Sequence, residues 1–450
     1  MSKKSIILII IGAIIILGLI VGFFVWQNRI DPKTGQPRSL VDYFPFMGND
    51  NNPGENTTET EENPENNPSV SNYIPKLRQI SENPVSGAGT FEKNDETIIR
   101  YIEKATGHVF ETQTLSLSKK RITKTTFPKS YEGLWGEKED SLIIRSLKDG
   151  TDVIQTVFAK ILNQGSVGTT TSKIASTSTQ TIASDDLKSQ DDSENSLLEL
   201  VITYLPLNIK EIAISPKKNK IFTITNTNNL GEGSISNLDG SSSTKIWSSQ
   251  LKEWLVSWPK DDTLLLSTKP SYTVPGYLYT LNTKNGKSER IIGNIYGMTA
   301  LANSDFSKIA VSQSDGNGLN LFFYYVKDNY FLSSSKTTLP EKCVWSKLDS
   351  SIIYCGIPVN IEKGGYPDAW YQGIVSFSDN IWKINTKTQS ADLLATLKDL
   401  SGKEIDTVNF LLTTKEDFLL FRNKKDSVLW SLDIRGSQPV EVTATTTKQD

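Results

Sequence analysis

Residues 257–266 read SWPKDDTLLL, and the same shape recurs along the chain. Leu134 opens LWGEKEDSLII, Ile214 opens ISPKKNKIFTI, Ala302 opens ANSDFSKIAV and Val344 opens VWSKLDSSIIY. Each copy holds an apolar stretch, a short polar turn and a second stretch rich in Leu, Ile or Val, the pattern of two strands joined by a hairpin. The residues just before the second stretches are Thr97, Ser141, Lys220, Thr263, Lys308, Ser351 and Asp417, spaced by 44, 79, 43, 45, 43 and 66 positions. Four of these six gaps fall within one residue of 44, and the other two exceed 44 by 35 and 22. The excesses coincide with two insertions, the Ser/Thr-rich stretch 163–196 and a segment inside 356–378 that begins GIPVNIEKGGYPDAWYQG.

Each unit contains four strand-like pieces. In the fourth they are LKEWLVSW, DTLLLST, GYLYTLNT and SERIIGN, parted by Pro, Asp, Asn and Gly. TKNGK at 283–287 carries an Asn-Gly turn signal, and NTKTQ at 385–389 fills the same slot two units later. Four strands per unit of 40–45 residues is what a β-propeller requires. Such a sheet cannot bury both faces alone, so the units pack face to face around an axis. Seven anchors predict seven blades over residues 77–443, in an all-β fold. Closure needs a strand from the far end of the chain. YIPKLRQIS at 73–81 is the expected outer strand of the last blade, with QPVEVT at 438–443 competing for that place.

The stretches SWPKDDTLLLS, ISPKKNKIFTI and YLYTLNTKNGK resemble TolB-type or WD40-like propeller repeats, in which a Ser-Pro-Asp-Gly-like turn leads into a strand. Here Asn, Asp or Ser mostly stands where that turn has glycine, and regular Trp-Asp endings are missing. The layout as a whole resembles single-pass bacterial envelope proteins that carry a TolB-like domain. The resemblance implies a fold and a binding role rather than catalysis.

Ahead of the repeats, residues 5–26, SIILIIIGAIIILGLIVGFFVW, hold no charge. At 1.5 Å per residue this run spans about 33 Å, enough for a bilayer core of about 30 Å. It is too long for the apolar core of a cleaved signal peptide and ends in bulky residues. We therefore read it as a transmembrane signal anchor behind a cytoplasmic tail of residues 1–4. Residues 27–76 follow as a linker; between Ser39 and Pro75 there is no Lys or Arg, whereas Asp50, Glu55, Glu59, Glu61, Glu62 and Glu65 are acidic. Such a segment buries too little apolar surface to offset its ordering entropy, which predicts disorder there and in the tail 444–450. The expected location is the cell membrane, with the C-terminal domain extracytoplasmic. Flanking charge does not set the orientation, since Lys3 and Lys4 face Arg29, Lys33 and Arg38.

Two cysteines bear on the compartment. Counting back through a KLDS turn at 347–350 puts Cys343 opposite residue 354, beside Cys355. A disulfide between them would form outside the cytoplasm; the alternative is two buried thiols. The net charge of −3 gives no basic surface for nucleic acid. His108 is the only histidine, which excludes a multi-imidazole zinc site. No G-x-S-x-G is present. DGNGLN at 315–320 has oxygen ligands at a calcium-like spacing, but a tight turn explains it equally. We expect no metal, no cofactor and no catalytic residues.

A binding surface is the remaining expectation. In a propeller, the links between second and third strands share one face with the links between blades. There the sixth unit offers Tyr366, Asp368, Trp370, Tyr371 and Gln372, and the fourth offers Tyr272. Exposed aromatics are enriched at binding hot spots; the alternative is a lid in which Trp370 and Tyr371 fold over the blade core. The expected function is a membrane-anchored scaffold that binds protein or envelope polymer. The alternative is a propeller enzyme, a hydrolase or lyase acting on envelope polysaccharide or peptide, recognisable by several carboxylates around the axial opening.

Overall fold

The computed structural model describes residues 74–162 and 197–436, apart from 315 and 317. The strands form seven four-stranded antiparallel sheets, and in six of them the order follows the chain. Blade 4, for example, runs Trp254–Lys260, Thr263–Thr268, Pro275–Asn282 and Ser288–Tyr296. The seventh sheet is the exception that closes the ring. Thr407–Leu412, Phe418–Asn423 and Leu429–Asp433 are completed by Leu77–Gln79, with Leu77 opposite Leu432 and Gln79 opposite Trp430. The chain is an all-β, seven-bladed propeller.

The period exists because each sheet is apolar on both faces. The second strand of blade 2, Ser141–Leu147, is buried along nearly all its length. Side chains from its two faces enter different cores, one shared with each neighbouring blade. Seven hydrophobic clusters match the seven junctions. Phe222 and Ile224 of blade 3 meet Trp254, Trp258 and Leu264 of blade 4. Tyr101 and Ile99 of blade 1 meet Phe418 and Leu420 of blade 7. An eighth cluster lies outside this scheme, under the blade 6 insertion.

Side chains set the turns. In blade 4, Asn282 Oδ1 accepts from the Lys284 and Asn285 amides, and Gly286 takes φ +68° to return the chain. Asn385 does the same for Lys387 and Thr388 in blade 6, where Gln389 occupies the left-handed position.

One expected register is corrected. Cys343 faces Cys355 rather than residue 354, and the two are joined by a disulfide with Cα atoms 4.1 Å apart. The turn holds one residue more than the counting assumed, because the Ser346 amide pairs with the Ile352 carbonyl. Ser346 Oγ accepts from the Leu348 and Asp349 amides, and Asp349 Oδ1 accepts from Ser351, which stabilises the longer loop. A one-residue slip moves a side chain to the other face of a sheet; here it aligns the two sulfurs. The insertion is also shorter than expected. Gly356–Pro358 belong to the second strand and Asp379 begins the third, so the connection is 359–378.

The apolar run 5–26, the linker up to residue 73, the stretch 163–196 and the competing strand 438–443 lie outside the described residues. The ends of 163–196 join the third and fourth strands of blade 2, Ile154–Leu162 and Glu199–Tyr204. Among the described residues no helix is long and apolar enough to cross a membrane.

Candidate functional site

The upper face carries the second-to-third-strand links and the links between blades. Its dominant feature is the 359–378 connection, which reaches from blade 6 over its neighbours. A short helix, Asp368–Tyr371, sits in the middle of it. Tyr366, Trp370 and Phe377 point down and form a core with Leu319 of blade 5 and Leu339. Tyr366 is fully buried and Trp370 is 3% exposed. This corrects the expectation that these two form a contact surface: apolar rings on a short insertion are more stable covering the blade than facing water. The lid alternative holds for Trp370, while Tyr371 and Gln372 are exposed.

The insertion is fixed at several points. The Tyr272 amide of blade 4 donates to Asp368 Oδ2 at 2.8 Å. Gly365 lies against the Tyr272 ring so closely that a side chain there would overlap it. The Tyr366 amide donates to Ser314 Oγ of blade 5 at 3.2 Å. Tyr371 donates its hydroxyl to Glu341 Oε1, and Thr299 Oγ1 donates to Oε2 of the same carboxylate at 2.7 Å. Trp370 Nε1 donates to Asp406 Oδ2 at 2.9 Å, just ahead of blade 7. Residues expected on one surface are thus brought together, Tyr272 and Asp368 directly, with two of the aromatics turned inward.

Under the lid lies a buried charge cluster that sequence reading missed. Lys342 Nζ is 2.7 Å from Asp379 Oδ2 and 2.5 Å from Asp406 Oδ1, and all three side chains are shielded from solvent. The Trp370 and Phe377 rings face the ammonium at 5.3 and 5.2 Å. Burial pushes the Asp379 carboxyl up, opposed by Lys342 and reinforced by Asp406. Burial also acts against ionised Asp406, but Lys342 and hydrogen bonds from Phe377 N–H and Trp370 hold its carboxyl below the usual range.

Carboxylates also stand near the start of four first strands. Glu132, Glu211, Glu253 and Glu341 stand at or just ahead of the first strands of blades 2, 3, 4 and 6. Glu132 pairs with Arg145 at 2.5 Å, and Glu253 with Lys269 at 3.0 Å. Burial raises Glu211 to about 7, Arg145 opposing and Glu132 adding to the effect. Tyr371 keeps an exposed ring, but its hydroxyl turns in to Glu341, and the atoms packed around it and that carboxylate raise its pKa. A signal existed in the repeat: these glutamates precede Ser141 and Lys220 by nine residues and Thr263 and Ser351 by ten. Among the described residues no group of three or more His, Cys, Asp or Glu side chains is arranged to hold a metal ion. His108 lies beside the third strand of blade 1, its imidazole pKa lowered by burial and by Arg121.

No family model matches the chain, and no curated protein matches it. Several solved structures are similar in fold. The GH74 enzyme of Niastella koreensis aligns with a TM-score of 0.50 at 10% identity, over 81% of this chain and 55% of that one. An oligogalacturonate lyase from Vibrio parahaemolyticus aligns at 0.46 and 10% identity, over 80% of this chain and 99% of that one. TolB from Acinetobacter baumannii aligns at 0.38 and 9% identity, over 78% of this chain and 67% of that one. At these identities the likeness concerns the fold alone, which is that of a β-propeller.

Proposed function

We propose that the protein is a membrane-anchored, extracytoplasmic propeller whose upper face binds a protein or an envelope polymer. The observation that carries this reading is the pinned insertion. It presents Tyr371 and Ile374 on its outside, the latter 73% exposed, beside Tyr272 of blade 4, while hydrogen bonds to blades 4 and 5 and to the segments leading into blades 6 and 7 hold it in place. A surface already ordered spends little further entropy on binding, and exposed aromatic anchors at its centre suit a hot spot. The apolar run 5–26 supports the anchor, and the Cys343–Cys355 bridge supports an oxidising compartment. Topology places Ile74, the first described residue, on the face opposite the insertion.

Crosslinking in intact cells, comparing the native chain with a Tyr272→Ala/Ile374→Asp variant, tests the reading. A specific crosslinked species lost in the variant supports it. Identical species from both place the binding elsewhere.

Glu211 favours a second reading, an enzyme acting on envelope polysaccharide or peptide. A carboxyl raised to about 7 close to Glu132 and Glu253 suits a general acid. Turnover of a polysaccharide or peptide panel, abolished by Glu211→Gln, would favour it over binding.

A further inference from the structure

The Lys342 cluster is more than an ion pair. One lysine stands between two carboxylates in a site closed to water, and the two carboxylates are not equivalent. Asp406 is fully partnered: Oδ1 takes Lys342, and Oδ2 takes Trp370 Nε1, the Phe377 amide at 3.0 Å and Ser376 Oγ at 3.1 Å. Asp379 is lopsided. Its Oδ2 accepts the Thr407 amide and Thr407 Oγ1, both at 2.6 Å, and Lys342 Nζ at 2.7 Å. Its Oδ1 is buried without any partner. Gly356 allows this, since a side chain there would overlap Thr407 Oγ1. A bare buried carboxylate oxygen is costly when ionised and tolerable when it carries a proton.

We propose that Lys342 and Asp379 join in an isopeptide bond in the folded protein, with Asp406 as the proton carrier. Asp406 takes a proton from the Lys342 ammonium. The neutral amine attacks Cγ of the protonated Asp379 carboxyl, and the C–N bond forms. Negative charge collects on Oδ2, where the Thr407 N–H and O–H already point, the geometry of an oxyanion hole. Oδ1, the unpartnered oxygen, is the leaving group. It departs as water, keeping its own proton and receiving the one held by Asp406, while Asp406 takes a second proton from the nitrogen. The products are one amide, one water and a neutral Asp406. Atoms and charge balance without an oxidant or co-reactant.

Two features drive the step. Juxtaposition in the fold replaces a bimolecular encounter. The product also contains no buried charge, so the desolvation cost of the ion cluster is removed. The raised carboxyl of Asp379 and the lowered one of Asp406 match the acid and base roles. The bond would tie residue 342, next to the disulfide at Cys343, to the first residue of the third strand of blade 6. Both stems of the insertion would then be covalently held.

The test is the mass of the full native chain, reduced and denatured. It should fall one water below the sequence mass, and Asp379→Ala and Asp406→Asn should each restore the full mass. Tryptic mapping of the native chain does not depend on either variant folding. It should show Lys342 uncleaved and a branched peptide combining 337–347 with 364–383. An unmodified mass with cleavage after Lys342 overturns the proposal, and so does a branch from Lys342 to the peptide 404–415.

Discussion

Removing the Trp370 indole separates the stability of the insertion from that of the propeller. Trp370 contributes twice: its ring fills the cluster under the lid, and its N–H donates to the Asp406 carboxylate. Trp370→Phe keeps most of the ring and loses a hydrogen bond to a charged group, costing about 1.5–3 kcal/mol. Trp370→Ala removes both, costing about 3–5 kcal/mol. Trp370 belongs to none of the seven clusters between blades, so the cost falls on docking of 359–378. At about 1.4 kcal/mol per factor of ten, the open population should rise roughly ten- to a hundredfold for Phe. For Ala the rise should be about a hundred- to several thousandfold. Trypsin cleavage after the exposed Lys363 reports that population when reclosing outpaces cutting. The thermal midpoint of the propeller should move little. A midpoint that falls steeply while cleavage at Lys363 stays at the native rate would show the lid to be part of the global core, and the reasoning would fail.

The remaining expectations concern closure, redox state, pH and docking. Cys343→Ala/Cys355→Ala releases a loop of sequence separation 12 and should cost about 3 kcal/mol, read as a lower denaturant midpoint. Truncation through residue 80 removes the closing strand with buried Leu77 and Ile80, about 1.5–3 kcal/mol each, and should bring aggregation in light scattering. Glu211 has a folded pKa above its unfolded value, so the folded state binds the extra proton and stability falls as pH rises from about 4.5 to about 7. Glu211→Gln should flatten that slope in melts between pH 4.5 and 8; an unchanged slope would remove burial of Glu211 as its cause. Gly365→Ala should push Tyr272 away from Asp368 and change Tyr272 exposure, detected by surface nitration.

The blades were legible because their signal is repeated and local. A turn of four to six polar residues between two apolar runs recurs in every unit, so an error of a residue in one copy is averaged over the others. The closing strand was legible for a different reason: 73–81 had no partner within its own unit, and an unpaired strand at one end implies a gap at the other. The Cys343 register shows where such reading stops. It depends on whether the Ser346 amide bonds the carbonyl of Ile352 or that of Ser351, and both choices satisfy the same pattern of residue types.

The site was legible only as a location. Trp and Tyr in a long loop are compatible with a hot spot and with a miniature core, and periodicity cannot separate the two in an irregular segment. The deciding residues were distant in sequence. Asp406 lies 64 positions from Lys342, and between them they recruit Trp370 and Phe377 inward. A buried lysine is excluded by residue type until its partners are placed, so nothing marked Lys342 as different from the solvated lysines around it. The same long-range pairing explains why the lid is ordered at all. The 359–378 connection has one four-residue helix and no strand of its own, and without the charge cluster its backbone would gain little from lying on blade 6. The cluster, not the loop's own propensity, converts an insertion into a platform, and a substitution that removes one member's side chain should loosen the face before it loosens the fold.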